Sequence, residues 1–164
     1  MDEIKKILVA LGFSEYAKGT FNYSAKLAKN LGAELIVASI INLRDVSAVA
    51  SVSAMGYGVD AEKYVRNVKD ERRRLFKEIL QDSFFSKGDP KLILKVGHPV
   101  YDLLEIIVNE KVDMVIMGVK GRTDLESIFV GSVAEKIFRR CPVTVVSYRD
   151  EKIHKRLAER IDIT

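Results

Sequence analysis

Cysteine is nearly missing from this chain of 164 residues. Cys141 stands alone, so no internal disulfide can close and no cysteine-based zinc cluster can be built. Long hydrophobic runs are missing too. Nothing approaches the roughly 18 consecutive apolar residues of a membrane span, and the opening "MDEIKKILVAL" holds an apolar run too short for a secretory leader. The expectation is a cytoplasmic protein with no membrane partner. Charge of one sign is scarce as well. The 27 Lys and Arg face 23 Asp and Glu, and a net +4 spread along the chain does not point to nucleic acid. The one basic run, Arg72-Arg73-Arg74, has no interleaved aromatic residues on which bases would stack. Internal repeats and low-complexity tracts are absent.

What is present is the balance of an ordinary globular domain, 48% hydrophobic and 30% charged, in a chain long enough to bury a proper core. Two periods alternate along it. "IKKILVAL" (4–11) reads as a strand, and "SEYAKGTFNYSAKLAKNLG" as a helix. Ser14 is its expected N-cap, Ala17, Phe21, Ala25, Ala28 and Leu31 its apolar stripe, and Gly32 its stop. "AELIVASII" (33–41) is a second strand, apolar on both faces apart from Ser39. The segment 42–59, "NLRDVSAVASVSAMGYGV", has no clean period and reads as a long mobile connection, a candidate lid over a site.

From Asp60 to about Phe85 the pattern is helical, with Tyr64, Val65, Val68, Leu75, Phe76, Ile79 and Leu80 inward and the "KDERRR" face in solvent. Strands follow at 91–96, 112–117 and 141–148, separated by helices opening at Pro99 and Ser132. Alternating elements whose strands are apolar on both faces predict an α/β fold, a parallel sheet covered by helices on each side. The expected architecture is one doubly wound domain over residues 1–148, a five-stranded sheet in the order 3-2-1-4-5. A helical extension over 149–164 carries Ile153, Leu157 and Ile161 four apart.

The stretch "GVKGRTDLESIFVGS" (118–132) concentrates glycines where the fourth strand passes to a helix. Its pattern, G-x2-G-x9-G-S, is neither a Walker A loop nor a dinucleotide fingerprint. The same physics still applies. Gly118, Gly121 and Gly131 let backbone N–H groups approach an anion, and the helix opening at Ser132 presents its positive end. The Ser132 hydroxyl would cap that helix or bond a phosphate oxygen, and Lys120 and Arg122 would add positive charge. Ligands of doubly wound sheets bind beyond the carboxyl ends of the strands, which is where this loop falls.

Three blocks, "KILVALGFSE", "VGHPVYDLLEIIVNEKVDMVIMG" and "GVKGRTDLESIFVGSVAEKIFRRCPVTVV", make the chain resemble the nucleotide-binding branch of the universal stress protein family over about residues 3–148. The resemblance implies an adenine nucleotide, ATP or AMP, with Mg2+ or Mn2+ as candidate companions. It implies phosphate contacts at Gly118, Gly121, Gly131, Ser132 and Val133, an adenine contact on the backbone near Ile40, and Met117 beside the site. It also implies a homodimer paired through the last strand, 142–148. One place departs from the family, where an aspartate commonly follows the first strand and this chain has Gly12. A lost hydrogen bond to a charged group is worth ~1.5–3 kcal/mol, roughly tenfold to hundredfold in affinity.

The function expected is an adenine-nucleotide-binding stress-response or signalling module with a protein partner still unnamed. The rivals are a slow ATPase and an interaction protein that no longer binds nucleotide because of Gly12. Asp124 and Glu126 are the loop carboxylates that would hold a metal, and His98 the polar residue that would face the crevice. Against those roles stand a solvated loop and a helix start. His154 reads as a surface residue and Cys141 as a small buried thiol. Neither Ser14 nor Ser132 sits in a G-x-S-x-G elbow.

Overall fold

Aliphatic and β-branched runs need cover on both faces, and the parallel sheet supplies it. The computed structural model describes residues 3–83, 89–119, 131–159 and 161. Five strands, β1 (Lys6–Ala10), β2 (Glu34–Asn42), β3 (Lys91–Gly97), β4 (Met114–Gly118) and β5 (Thr144–Tyr148), lie in the order β3-β2-β1-β4-β5, as expected. All four pairings are parallel, with Ile7 opposite Leu35 on one side and Met114 on the other.

Six helices accompany the strands among the described residues: α1 (Ala17–Leu31), α2 (Leu43–Ala54), α3 (Ala61–Gln81), α4 (Pro99–Asn109), α5 (Ser132–Arg140) and α6 (Glu151–Ala158). Alternation along β1 divides the core in two. Ile7 and Val9 pack with Val37 and Ile116 against Phe21 of α1 and Phe76 of α3. Leu8 packs with Ile36 and Val115 against Ile107 of α4 and Ile137 of α5. Ile7, Leu8 and Val9 are accordingly all at zero exposure, with no polar face to betray the period of a strand.

Several expectations are corrected. Helix α1 opens at Ala17 with Tyr16 in the N-cap position, and Ser14 is not its cap; the Ser14 hydroxyl only receives the Tyr16 N–H at 3.4 Å. Leu31, the last residue of the helix, is 43% exposed, while Ala17, Phe21, Ala25 and Ala28 are buried. Gly32 takes φ 67° and donates to the carbonyls of Ala28 and Lys29, closing the helix as expected.

The segment 42–59 is not a connection without structure. Its first part is α2, capped by the Asn42 side chain, which accepts the Arg44 N–H at 3.0 Å. The helix buries no residue, so nothing imposed an apolar stripe on its Ala- and Ser-rich sequence and no period could be read. The "KDERRR" face of α3 is not wholly solvated either, for Arg72 is buried at 6% exposure. That helix ends at Gln81, and Phe84 and Phe85 lie outside the described residues.

In the C-terminal extension Ile153 is buried and Leu157 half-buried, but Ile161 lies past the end of α6 and is 65% exposed. Pro99 occupies the first turn of α4 as expected, Cys141 is half-buried rather than buried, and His154 is exposed. Among the described residues no helix is long and apolar enough to cross a membrane.

Candidate functional site

The chain leaves β1 toward α1 on one face of the sheet and leaves β4 toward α5 on the other. Connections that diverge from adjacent strands open a crevice at their carboxyl ends. Here it is a cleft of about 480 Å³, walled by the ends of β1, β2 and β4 and the starts of α1, α2, α4 and α5, with Arg72 of α3 in the wall.

The β4 side is built from backbone. Gly118 ends the strand, Val119 accepts the Gly131 N–H at 2.9 Å, and Gly131 accepts the Glu135 N–H at 3.0 Å as the first turn of α5 forms. Helical geometry leaves the N–H groups of the first turn, those of Ser132, Val133 and Ala134, without acceptors inside the helix. All three residues line the cleft. Gly131 holds the N-cap position with no side-chain cap, so Ser132 lies inside the helix and is not the residue that caps it.

The β1 side is a tight turn. Leu11 donates its N–H to the Ala38 carbonyl at 2.9 Å, and Gly12 follows in an open position where an added Cβ would meet nothing within 4 Å. Phe13 then takes φ 53°, a left-handed conformation that bulky residues seldom adopt, with its side chain packed on the α1 core. This turn directs Ser14 and Tyr16 to the cleft. A hydrogen bond with Glu15 and then burial push the Tyr16 phenol above its ordinary range.

Beneath the turn runs a buried polar chain. The Ser39 hydroxyl donates to the Leu11 carbonyl at 2.6 Å and accepts from Nη1 of Arg72 at 2.8 Å. Ser39, the one polar residue of the second strand's apolar run, thereby ties β2, β1 and α3 together.

Of the residues named from sequence, Gly12, Ile40, Met117, Gly118, Gly131, Ser132 and Val133 all line this cleft. Lys120, Gly121, Arg122, Asp124 and Glu126 lie outside the described residues. His98 is exposed at the N-cap of α4 and is not among the cleft residues. Sequence reasoning missed Arg72, Tyr64, Asp45 and Thr20. For Arg72 a signal existed, because it precedes the buried Phe76 and Ile79 by four and seven positions and so shares their face of α3. Reading "RRR" as a block concealed it. Among the described residues no cluster of His, Cys, Asp or Glu is placed to hold a metal ion.

A sequence model of the universal stress protein family matches residues 3–149. Universal stress protein MJ0577 of Methanocaldococcus jannaschii is 31% identical over 161 residues, covering 89% of this chain and 96% of its own. Its solved structure superposes with a TM-score of 0.63 at 29% identity, covering 91% of this chain and 99% of that one. Universal stress protein UspA from Lactobacillus plantarum gives a TM-score of 0.70 at 17% identity, over 91% of this chain and 100% of its own. A universal stress protein solved in complex with cAMP gives 0.56 at 19% identity, over 90% and 98%. With the sheet order and a sequence match spanning nearly its whole length in agreement, the chain belongs to the universal stress protein family.

Proposed function

We propose that the chain binds an adenine nucleotide, ATP or AMP, in the cleft at the carboxyl ends of β1, β2 and β4, and serves as a cytoplasmic stress-response or signalling module. The observation that carries this reading is the meeting of Gly118, Gly131, Ser132 and Val133 at the open end of α5 in a cleft of about 480 Å³. Unpaired N–H groups and the helix dipole suit phosphate, and small residues allow its close approach. Phosphate contacts are assigned to those four residues, together with Gly121, Lys120 and Arg122 of the loop. The apolar wall of Ala38, Ile40, Pro99, Leu103 and Met117 suits a planar base, with the Ile40 backbone reading its edge. A relative of the same fold was solved with cAMP, an adenine nucleotide. Open space at Gly12 leaves room for the sugar.

Calorimetric titration of nucleotide-stripped protein with ATP and with AMP, each with and without Mg2+ or Mn2+, tests the reading. Micromolar binding is expected. Absence of heat with every nucleotide would sink it and leave an interaction protein as the better description.

Two further properties belong to the proposal. Strand β5 pairs with β4 alone among the described strands, and its half-buried valines 145 and 146 stand at a sheet edge. Such an edge favours pairing with a second copy, and the homodimer is assigned to residues 142–148. Sedimentation at tens of micromolar should give twice the mass of the chain, and a monomer there would remove the assignment. Helix α2 is the candidate lid. It buries no residue, yet Asn42 and Asp45 at its start line the cleft, so opening it disturbs little of the core. Limited proteolysis within 43–59 should slow on saturation with nucleotide. Equal cutting rates in the two states would exclude the lid.

A further inference from the structure

The helices that follow β2 and β4 open on the same cleft with opposite electrical character, and what this implies about the ligand rests on the nucleotide reading above. Helix α5 starts at Gly131 with no side-chain cap, so its first-turn N–H groups suit an anion. Helix α2 starts closed. The Asn42 side chain accepts the Arg44 N–H at 3.0 Å, and Asp45 adds a carboxylate in the first turn, where it answers the positive end of the helix dipole. Asn42 and Asp45 both line the cleft, and Asp45 is the only carboxylate among its described lining residues. Among the described residues the Asp45 side chain enters no hydrogen bond or ion pair, unlike Asp60, Asp70 and Asp82, which meet Arg66, Arg73 and Lys18.

The strand order sets what lies between these two starts. β1 separates β2 from β4, so the carboxyl ends of the outer two stand two strand spacings apart, about 9–10 Å. Gly12, after β1, leaves open space in the middle. A nucleotide is built in the same order, with a ribose between its phosphate and its base. With the phosphate on α5 and the sugar beside Gly12, the base comes to the end of β2, against Ile40 and the start of α2. A phosphate placed there would be repelled by the Asp45 carboxylate, so the cleft accepts the nucleotide in one direction. A carboxylate only accepts hydrogen bonds, and the group on a base that it suits is a donor, the exocyclic amine.

We infer that Asp45 is a specificity-determining residue that selects a base bearing an exocyclic amine, by accepting one of the amine's two N–H groups. The Ile40 backbone meets the rest of the base edge. Because α2 buries no residue, Asp45 is carried by an element that adjusts to the base without disturbing the core, and its replacement leaves the fold intact.

The test is calorimetric titration of the whole, nucleotide-stripped chain with ATP and with purine riboside 5′-triphosphate, which differs from ATP only in lacking the 6-amino group. ATP is expected to bind about tenfold tighter, the lower end of the range for a hydrogen bond to a charged partner, because Asp45 is exposed. Asp45→Ala should bring that ratio to about one. Asp45→Asn, which keeps an accepting oxygen without the charge, should hold part of it. Arg44→Ala, its neighbour on α2 but not a lining residue of the cleft, should leave the ratio unchanged. A ratio that falls equally in Arg44→Ala would trace it to the helix as a whole and overturn the inference. If both triphosphates bind the unaltered chain equally, the inference fails while the nucleotide reading stands. If Asp45→Ala keeps the full ratio, the Ile40 backbone alone reads the amine and the inference is likewise overturned. If neither triphosphate binds, both fall together.

Discussion

Ser132→Glu should weaken ATP binding by on the order of a hundredfold or more while leaving the fold intact. Ser132 is exposed in the first turn of α5 and makes no capping bond, so little packing is disturbed. A carboxylate there complements the helix dipole and should stabilise α5 by about 0.3–1 kcal/mol. The same carboxylate occupies the positive end that the proposal gives to phosphate. Two like charges about 4 Å apart repel by roughly 4 kcal/mol at an effective dielectric constant near 20, of which solvent and rearrangement remove part. The two effects have opposite signs, and that makes the variant informative. Thermal unfolding should show a Tm unchanged or slightly raised, and calorimetry a lost or much weakened ATP isotherm. Undiminished affinity in a folded variant would place the phosphates away from α5 and dismantle the proposed site.

Phe21→Ala should be the most damaging single truncation on α1, at about 3–5 kcal/mol. Phe21 has no exposed surface, and its ring stands edge-on to Phe76 of α3, with centroids 5.7 Å apart. That contact joins the two helices on one face of the sheet, so the cavity left behind lies between α1, α3 and β1. For a domain of this size the loss corresponds to a fall in Tm of roughly 6–20 °C. Leu31→Ala on the same helix should cost less than about 1 kcal/mol, because Leu31 is already 43% exposed. Chemical denaturation of the two variants side by side measures the contrast. Similar losses from both would mean that α1 does not present the face described.

The contrast between Phe21 and Leu31 marks where sequence reasoning stops. Both fall on the stripe drawn from periodicity, and the stripe is right for Ala17, Phe21, Ala25 and Ala28 because a helix against a sheet must bury one side. Periodicity does not say where along the helix burial stops. Helix α2 shows the converse limit: capped by Asn42 and rich in alanine and serine, it buries nothing, so no pattern of apolar residues revealed it. Arg72 is the third case. Its spacing to Phe76 and Ile79 put it on the inward face of α3, but charge argued for solvent, and a polar acceptor on a neighbouring strand, the Ser39 hydroxyl, is among what reconciles the two.

The sequence by itself determined the alternation of strands and helices, the burial of the strands on both faces, the stop of α1 at Gly32 and the junction of Gly131 with α5. These rest on information local to a few residues: burial on both faces, turn chemistry, and the capacity of a backbone to take a given φ. Only the tertiary structure decided which inward positions are core and which are cleft wall. Gly12, Ile40, Arg72 and Ser132 come from four separate stretches of the chain and share one cleft. Their meeting depends on strand register and on the divergence of two connections at the centre of the sheet, and no local pattern encodes either. A buried position on a helix looks the same in sequence whether its neighbour in space is a leucine or a ligand.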